Sequence, residues 1–258
     1  MSYVVMLDAG HGGWDPGASY YGRQEKNDNL NLALAVGNIL EQKGIPVIYT
    51  RTSDVYQTPF EKAEMANRSD ADFFVSFHRN AMPVPGTASG IESLVYENTG
   101  AAAVLARNIN EELKGAGFAD LGVIERPGLV VLKRTRMPAV LVEAGFIDNE
   151  ADNRLFDQNF TAIAQAIADG IQKALKEEEA MKPEYYQIQT GAYRNQELAT
   201  QQLIQLKSQG FPAFLVYEDG LYKVRGGAFL NLDHAVAMEK KLREYGYSTV
   251  MVKKAAVL

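Results

Sequence analysis

Short apolar runs alternate along the first two thirds of the chain with longer stretches whose apolar residues recur at helical spacing. The runs at 4–7, 46–50, 72–77 and 139–142 are rich in β-branched and aromatic residues and stop at Asp, Gly or a charged residue, which predicts buried strands. Further strands are expected at 90–97 and 129–132. Between them, Leu30, Leu34 and Ile39 stripe a helix expected over 28–43 and ended by Gly44. Thr58-Pro59-Phe60-Glu61 combines a capping box with proline at the first helical position, so a helix is expected to run to about Arg68. Others are expected over 101–114 and from Asp152 or Asn153 to Leu175. Strands alternating with helices predict an α/β domain with a mostly parallel twisted sheet flanked by helices, placed at 1–176.

The pattern changes near residue 177. Lys176 to Pro183, with three successive glutamates, reads as an interdomain linker (177–183). Beyond it, Ile188-Gln189-Thr190-Gly191-Ala192-Tyr193 returns as Val224-Arg225-Gly226-Gly227-Ala228-Phe229, and Gln209-Gly210-Phe211 returns as Tyr245-Gly246-Tyr247. Two related halves, each reading strand, Gly-containing turn, helix, strand, predict a small α+β ferredoxin-like (βαββαβ) domain at 184–258.

Composition adds bounds. A chain of 258 residues with 47% hydrophobic and 22% charged residues has the material for substantial cores, and two domains are expected. No cysteine is present, which excludes disulfides and thiolate catalysis. The net charge of −6 divides into −9 through Ala180 and +3 beyond it; so small a basic excess is commonly a solvated face. No apolar run reaches the roughly 18 residues of a membrane span. Met1-Ser2-Tyr3 leads straight into the first strand, so no signal peptide is expected.

The candidate chemistry lies where the strands end. His11 follows the first strand within Ala9-Gly10-His11-Gly12-Gly13, His78 follows the 72–77 run, and Glu143 follows the 139–142 run. Ligands of open α/β sheets bind at such carboxyl ends. The chain has three histidines, and two of them occupy equivalent positions. Each residue also has a plainer reading. His11 fits an ordinary turn and His78 a histidine satisfied by a backbone carbonyl, while Glu143 fits a solvated strand end. Glu25 fits an acidic residue favoured at a helix N-terminus. Asn80 fits either a turn or a ligand-orienting role, and His234 reads as a surface or capping residue before a helix. Two neutral imidazoles and a carboxylate are nevertheless the ligand set of many catalytic zinc sites. A carboxylate desolvated at the position of Glu143 would have a raised proton affinity suited to proton transfer near neutrality.

Four segments, LDAGHGG, GRQEKNDNLNLA, ADFFVSFHRNA and VLKRTRMPAVLVEAGFIDN, occur in the order found in the zinc-dependent N-acetylmuramoyl-L-alanine amidases of the amidase type 3 family, which the chain resembles. The resemblance implies Zn2+ as cofactor, held by His11, Glu25 and His78, and Glu143 as the catalytic carboxylate. It also implies cleavage of the amide between N-acetylmuramic acid and L-alanine in peptidoglycan. The family usually has arginine where this chain has Lys62, a change expected to alter a supporting contact.

With its Gly-Ala-Tyr and Gly-Ala-Phe turns, the repeat segment resembles the sporulation-related repeat (SPOR) domain, which implies binding to peptidoglycan glycan strands. RNA-binding domains share this layout, but their RNP1 pattern is absent, and neither nucleic acid nor membrane is expected as a partner. Tyr185, Tyr186, Tyr193, Tyr222 and Phe229 could stack on sugars, although aromatic residues on strands are usually core. A zinc peptidase cutting within the stem peptide, and a wall-binding protein without activity, are the alternatives that the ligand set leaves open. The enzyme is expected to act at the cell wall after release by lysis, as a sporulation autolysin or a phage endolysin would.

Overall fold

The computed structural model describes residues 3–255; Met1 and Ser2, part of the expected run-in to the first strand, lie outside them. The chain forms two compact units that divide at Glu178/Glu179.

The first unit is built on six strands: β1 (Val5–Ala9), β4 (Val47–Tyr49), β5 (Phe73–Asn80), β6 (Ile91–Val95), β7 (Asp120–Glu125) and β8 (Ala139–Phe146). β2 (Ser19–Tyr20) and β3 (Arg23–Gln24) form a separate small hairpin. The large sheet has the order β4-β1-β5-β8-β6-β7 and is parallel except where β6 meets β8. Its central strands are buried on both faces, which explains their nearly continuous apolar sequence.

Helices α1 (Glu25–Gln42), α2 (Pro59–Arg68), α3 (Gly100–Gly115), α4 (Val130–Arg134), α5 (Glu150–Gln158) and α6 (Phe160–Met181) accompany the sheet. One face of the sheet packs Val5, Leu7, Val75, Phe77, Val140 and Val142 against the apolar sides of α1, α3 and α6. The other packs Met6, Phe74 and Leu141 with Ala66 of α2 and Val131 and Leu132 of α4. Thr58 caps α2 through the expected box, its hydroxyl accepting from Glu61 N–H at 3.1 Å while Glu61 Oε2 accepts from Thr58 N–H at 2.7 Å.

Several expectations change. His78 and Glu143 are interior to β5 and β8 rather than just past them. Residues 129–132, expected as a strand, enter the short helix α4, because Val131 and Leu132 are both needed against the second core face, an arrangement one helical turn provides. The helix expected from Asp152 or Asn153 to Leu175 is two helices. Asn149 caps α5 by accepting from Ala151 and Asp152 N–H, and the break falls at Asn159. α6 continues to Met181 through most of the segment read as a linker, since the glutamates there are good helix formers. β7 lies at the sheet edge and was not expected; Gly122 and its partly exposed positions hide it from an apolar pattern.

The second unit contains β9 (Glu184–Tyr193), α7 (Gln196–Ser208), β10 (Ala213–Glu218), β11 (Leu221–Phe229), α8 (Leu232–Glu244) and β12 (Val250–Ala255). Its sheet is antiparallel with the order β10-β11-β9-β12, the ferredoxin-like arrangement expected of a split βαβ pair. Ile188, Ala199, Leu206, Val224, Ala235 and Leu242 form its core at matching positions of the two halves. The Gly-Ala-Tyr and Gly-Ala-Phe segments are the ends of β9 and β11 rather than turns. His234 lies inside the first turn of α8, where its N–H donates to Asn231 Oδ1 at 3.4 Å. Tyr186, Tyr193, Tyr222 and Phe229 pack against the core while remaining partly exposed. Among the described residues no helix is long and apolar enough to cross a membrane.

Candidate metal centre and active site

β1, β5 and β8 are neighbours in the sheet, and their carboxyl ends deliver the candidate residues. His11 stands two residues beyond β1 with φ 60°, a left-handed conformation that turns its ring back toward the sheet end. Glu25 is the first residue of α1, where the helix terminus favours a carboxylate. His78 and Glu143 are paired directly in the parallel register of β5 and β8.

His11, Glu25 and His78 come together, each offering one ligand atom, with these atoms within 4.8 Å of one another. His11 Nε2 lies 3.1 Å from Glu25 Oε2, and His78 Nδ1 lies 2.8 Å from Glu25 Oε1. Glu25 also accepts from Ala18 N–H at 2.8 Å, from Arg79 N–H at 3.1 Å and from Asn29 Nδ2 at 3.2 Å. Burial opposes its ionisation, but the hydrogen bonds and charges of His11 and His78 hold the carboxyl far below the usual carboxylate range. The helix-terminus and candidate-ligand readings of Glu25 do not exclude one another, because the residue that starts α1 also lies against both histidines.

The other ring nitrogen of His11, Nδ1, lies 2.8 Å from Asp15 Oδ2, while Asp15 Oδ1 accepts from Gly17 N–H at 3.1 Å. Burial pulls the His11 imidazole down, yet Glu25 and then Asp15 raise it to about 9. Asp15 was not singled out by sequence reasoning; its place four residues after a candidate ligand in a Gly-rich turn is the signal that was available. A carboxylate behind a histidine fixes its orientation and raises its basicity as a ligand.

The backbone leaves no room for side chains here. A Cβ on Gly10 would lie 2.3 Å from the His78 ring, and one on Gly17 would lie 2.5 Å from Glu25 Oε2 and 2.6 Å from the His11 ring. Below them, Asp8 is buried and accepts from Thr50 Oγ1 at 2.6 Å and Ser76 Oγ at 2.6 Å, and it pairs with Lys62 Nζ at 2.8 Å. Lys62 Nζ also donates to Ala9 carbonyl oxygen at 2.6 Å, so the lysine supports the end of β1. Arg51 donates to the carbonyls of Ala9 and Gly10, each at 3.0 Å. Arg79, fully buried, donates to Asp28 at 2.8 Å and Asn153 at 2.8 Å and lies 4.1 Å from the Phe156 ring centre.

Glu143 sits between His78 on one side and Glu92 of β6 on the other. Its Oε2 is buried without a hydrogen-bond partner. Burial pushes the carboxyl up to about 7; His78 opposes the rise, while the charges of Glu25 and Glu92 add to it. The desolvation expected of a glutamate at this position is matched by its burial within β8. Asn80 donates to Glu92 Oε1 at 2.9 Å, which makes it a support for the neighbouring acid.

The N-acetylmuramoyl-L-alanine amidase family model matches residues 5–173, and the SPOR domain matches residues 182–254. The chain is 34% identical over 221 residues to a sporulation-specific N-acetylmuramoyl-L-alanine amidase of Bacillus subtilis, covering 83% of this chain and 85% of the relative. It is 38% identical over 185 residues to an endolysin of Bacillus phage SPP1, covering 68% and 67%. The crystal structure of an N-acetylmuramoyl-L-alanine amidase from Clostridium difficile 630 superposes with a TM-score of 0.64 at 33% identity, covering 68% of this chain and 97% of that one. The chain belongs to the N-acetylmuramoyl-L-alanine amidase family of peptidoglycan hydrolases and carries a C-terminal SPOR domain.

Proposed function

We propose that this enzyme hydrolyses the amide between N-acetylmuramic acid and L-alanine with a zinc ion held by His11, Glu25 and His78 and with Glu143 as the proton carrier. The observation that carries this reading is the convergence of two imidazoles and one carboxylate beside an acid whose proton affinity is tuned near neutrality. The donor set fits zinc, since nitrogen and carboxylate oxygen ligands from three residues are typical of catalytic sites. Gly10 and Gly17 support the fit, because any side chain there would enter the space of the ligands. When bound, zinc supplies Lewis acidity and lowers the pKa of a coordinated water toward about 7.

The remaining chemistry belongs to the chain. Glu143 accepts a proton from the attacking water at its carboxylate and returns it to the departing alanine nitrogen, a cycle that a group titrating at about 7 can run in both directions. Asp15 holds His11 in orientation through Nδ1, leaving Nε2 as the ligand atom. Asp8 and Lys62 fix the strand end from which His11 projects. The C-terminal domain is assigned to glycan strands, which keeps the enzyme on its polymer. We assign residues 1–176 and 184–258 to these two roles, with α6 supplying most of the connection between them. Relatives named as a sporulation-specific amidase and a phage endolysin support a lytic enzyme that acts on the cell wall.

Digestion of purified peptidoglycan tests the bond assignment. New amino termini on L-alanine are expected; termini elsewhere in the stem peptide would mean a zinc peptidase, and an intact wall that retains the protein would mean a binding module.

A further inference from the structure

Trp14 is 75% exposed. It occupies the tip of a two-residue hairpin closed by reciprocal bonds, Gly12 N–H to Asp15 carbonyl at 3.0 Å and Asp15 N–H to Gly12 carbonyl at 3.1 Å. His11 and Asp15 therefore flank the hairpin on its two sides. Three residues of chain reach at most about 11 Å, so the Trp14 backbone is held within that distance of the His11 backbone.

The hairpin is anchored. Gly13 N–H donates to Asp54 Oδ1 at 2.7 Å, and Lys26 Nζ donates to both Gly13 carbonyl oxygen at 2.7 Å and Asp54 Oδ2 at 2.6 Å. A Cβ on Gly12 would lie 2.2 Å from Val55 carbonyl oxygen, so the loop rests on the 51–56 segment by backbone contact. Trp14 stacks on Tyr56 with ring centres 4.2 Å apart and planes tilted by 36°. One indole face is thus backed by an aromatic ring and the other is presented to solvent. Tyr56 in turn walls a surface groove with Phe60 and Met65, both exposed.

We propose that Trp14, backed by Tyr56, is a stacking platform for a pyranose ring of the glycan strand beside the scissile bond. The inference rests on the amidase reading of the site, which requires a sugar on one side of the cut and an acidic peptide on the other. A rigid, flat, apolar face with a polar edge suits the C–H face of a sugar, and pre-stacking on Tyr56 removes the entropy that a free indole would lose on binding. Trp14 is a specificity residue and takes no part in the chemistry.

Trp14 is the only tryptophan in the chain, so its emission reports on this hairpin and not on the SPOR domain. Titration of the wild type with glycan strands freed of stem peptide is expected to change that emission saturably, and titration with free stem peptide is not. With soluble muramyl-peptide fragments as substrate, Trp14→Ala is expected to raise KM by roughly tenfold at unchanged kcat and Trp14→Phe to keep most of the affinity. Emission that ignores the glycan, emission that answers only to the peptide, or a Trp14→Ala variant with wild-type KM each overturns the platform. The fluorescence arm needs no turnover, so a wild type that releases no alanine termini would refute the amidase reading while the titration still decides whether a sugar stacks on Trp14.

Discussion

His78 and Glu143 are direct partners in the register of two adjacent parallel strands, so a candidate metal ligand and a candidate proton carrier leave the sheet side by side. No loop has to be positioned to bring them together. The pairing also places Glu143 against Glu92 in the next strand, which concentrates acid beside a buried carboxyl.

Replacing that carboxyl separates chemistry from metal binding. Glu143→Gln keeps the shape of the side chain and removes its proton transfer, so kcat for release of alanine termini is expected to fall by about 10²–10⁴-fold while zinc content stays at the wild-type level. A variant that loses zinc in parallel with activity would make Glu143 part of the metal site instead.

The same residue gives the chelator-stripped protein a pH signature. Its carboxyl titrates near 7 in the folded state against 4.5 for the ordinary group, so the folded state holds the extra proton between those values. Stability contributed by the protonated form is fully present below about 4.5 and is lost as pH rises through 7. Glu143→Gln is therefore expected to match the wild type near pH 4 and to exceed it by about 3 kcal/mol at pH 8, read from urea midpoints of stripped samples. Parallel curves for the two proteins would show that Glu143 is not desolvated.

Asp15 is expected to act through His11. Asp15→Asn leaves the three ligands in place and weakens the carboxylate behind His11 Nδ1, which should reduce zinc affinity by roughly 10–100-fold in competition with a chromophoric chelator. Unchanged affinity would reduce Asp15 to a turn residue.

Beneath the site, Lys62 compensates the buried charge of Asp8. Lys62→Met is expected to cost about 3–5 kcal/mol in urea unfolding, because it leaves that charge unpaired, and Asp8→Asn added to it should recover much of the loss. Additive losses in the double variant would contradict the pairing.

The elements legible in the sequence were those whose local pattern agrees with their tertiary role. Val5 to Leu7, Ala139 to Val142 and, apart from Ser76, Phe73 to Phe77 are apolar because both sheet faces are covered, and Thr58 to Glu61 fixes its helix start through local bonds alone. The repeat made the second sheet legible, since corresponding residues Ile188 and Val224 fill one core. Residues 129–132 misled because a four-residue apolar run satisfies a strand and a helical turn equally, and only the second core face decides between them. The break at Asn159 was hidden because α5 and α6 bury Phe156 and Ile163 in the same core, which keeps the apolar period running across the interruption.

Within the site, His11 and His78 could be singled out from the strand ends that carry them. Glu25 could not, because an acid at a helix start has a sufficient local reason, and the resemblance alone raised it. Asp15 escaped because its place four residues after His11 is a weak signal until the backward turn of His11 at φ 60° brings the two side chains together.

The central claim is tested most directly by rate measurements on protein stripped of metal. Stripped wild type should release no alanine termini from peptidoglycan and should regain full activity on addition of one equivalent of zinc, whereas His78→Ala should stay inactive at that stoichiometry. Full activity in the stripped wild type, or equal restoration in His78→Ala, would contradict a catalytic zinc held by His11, Glu25 and His78.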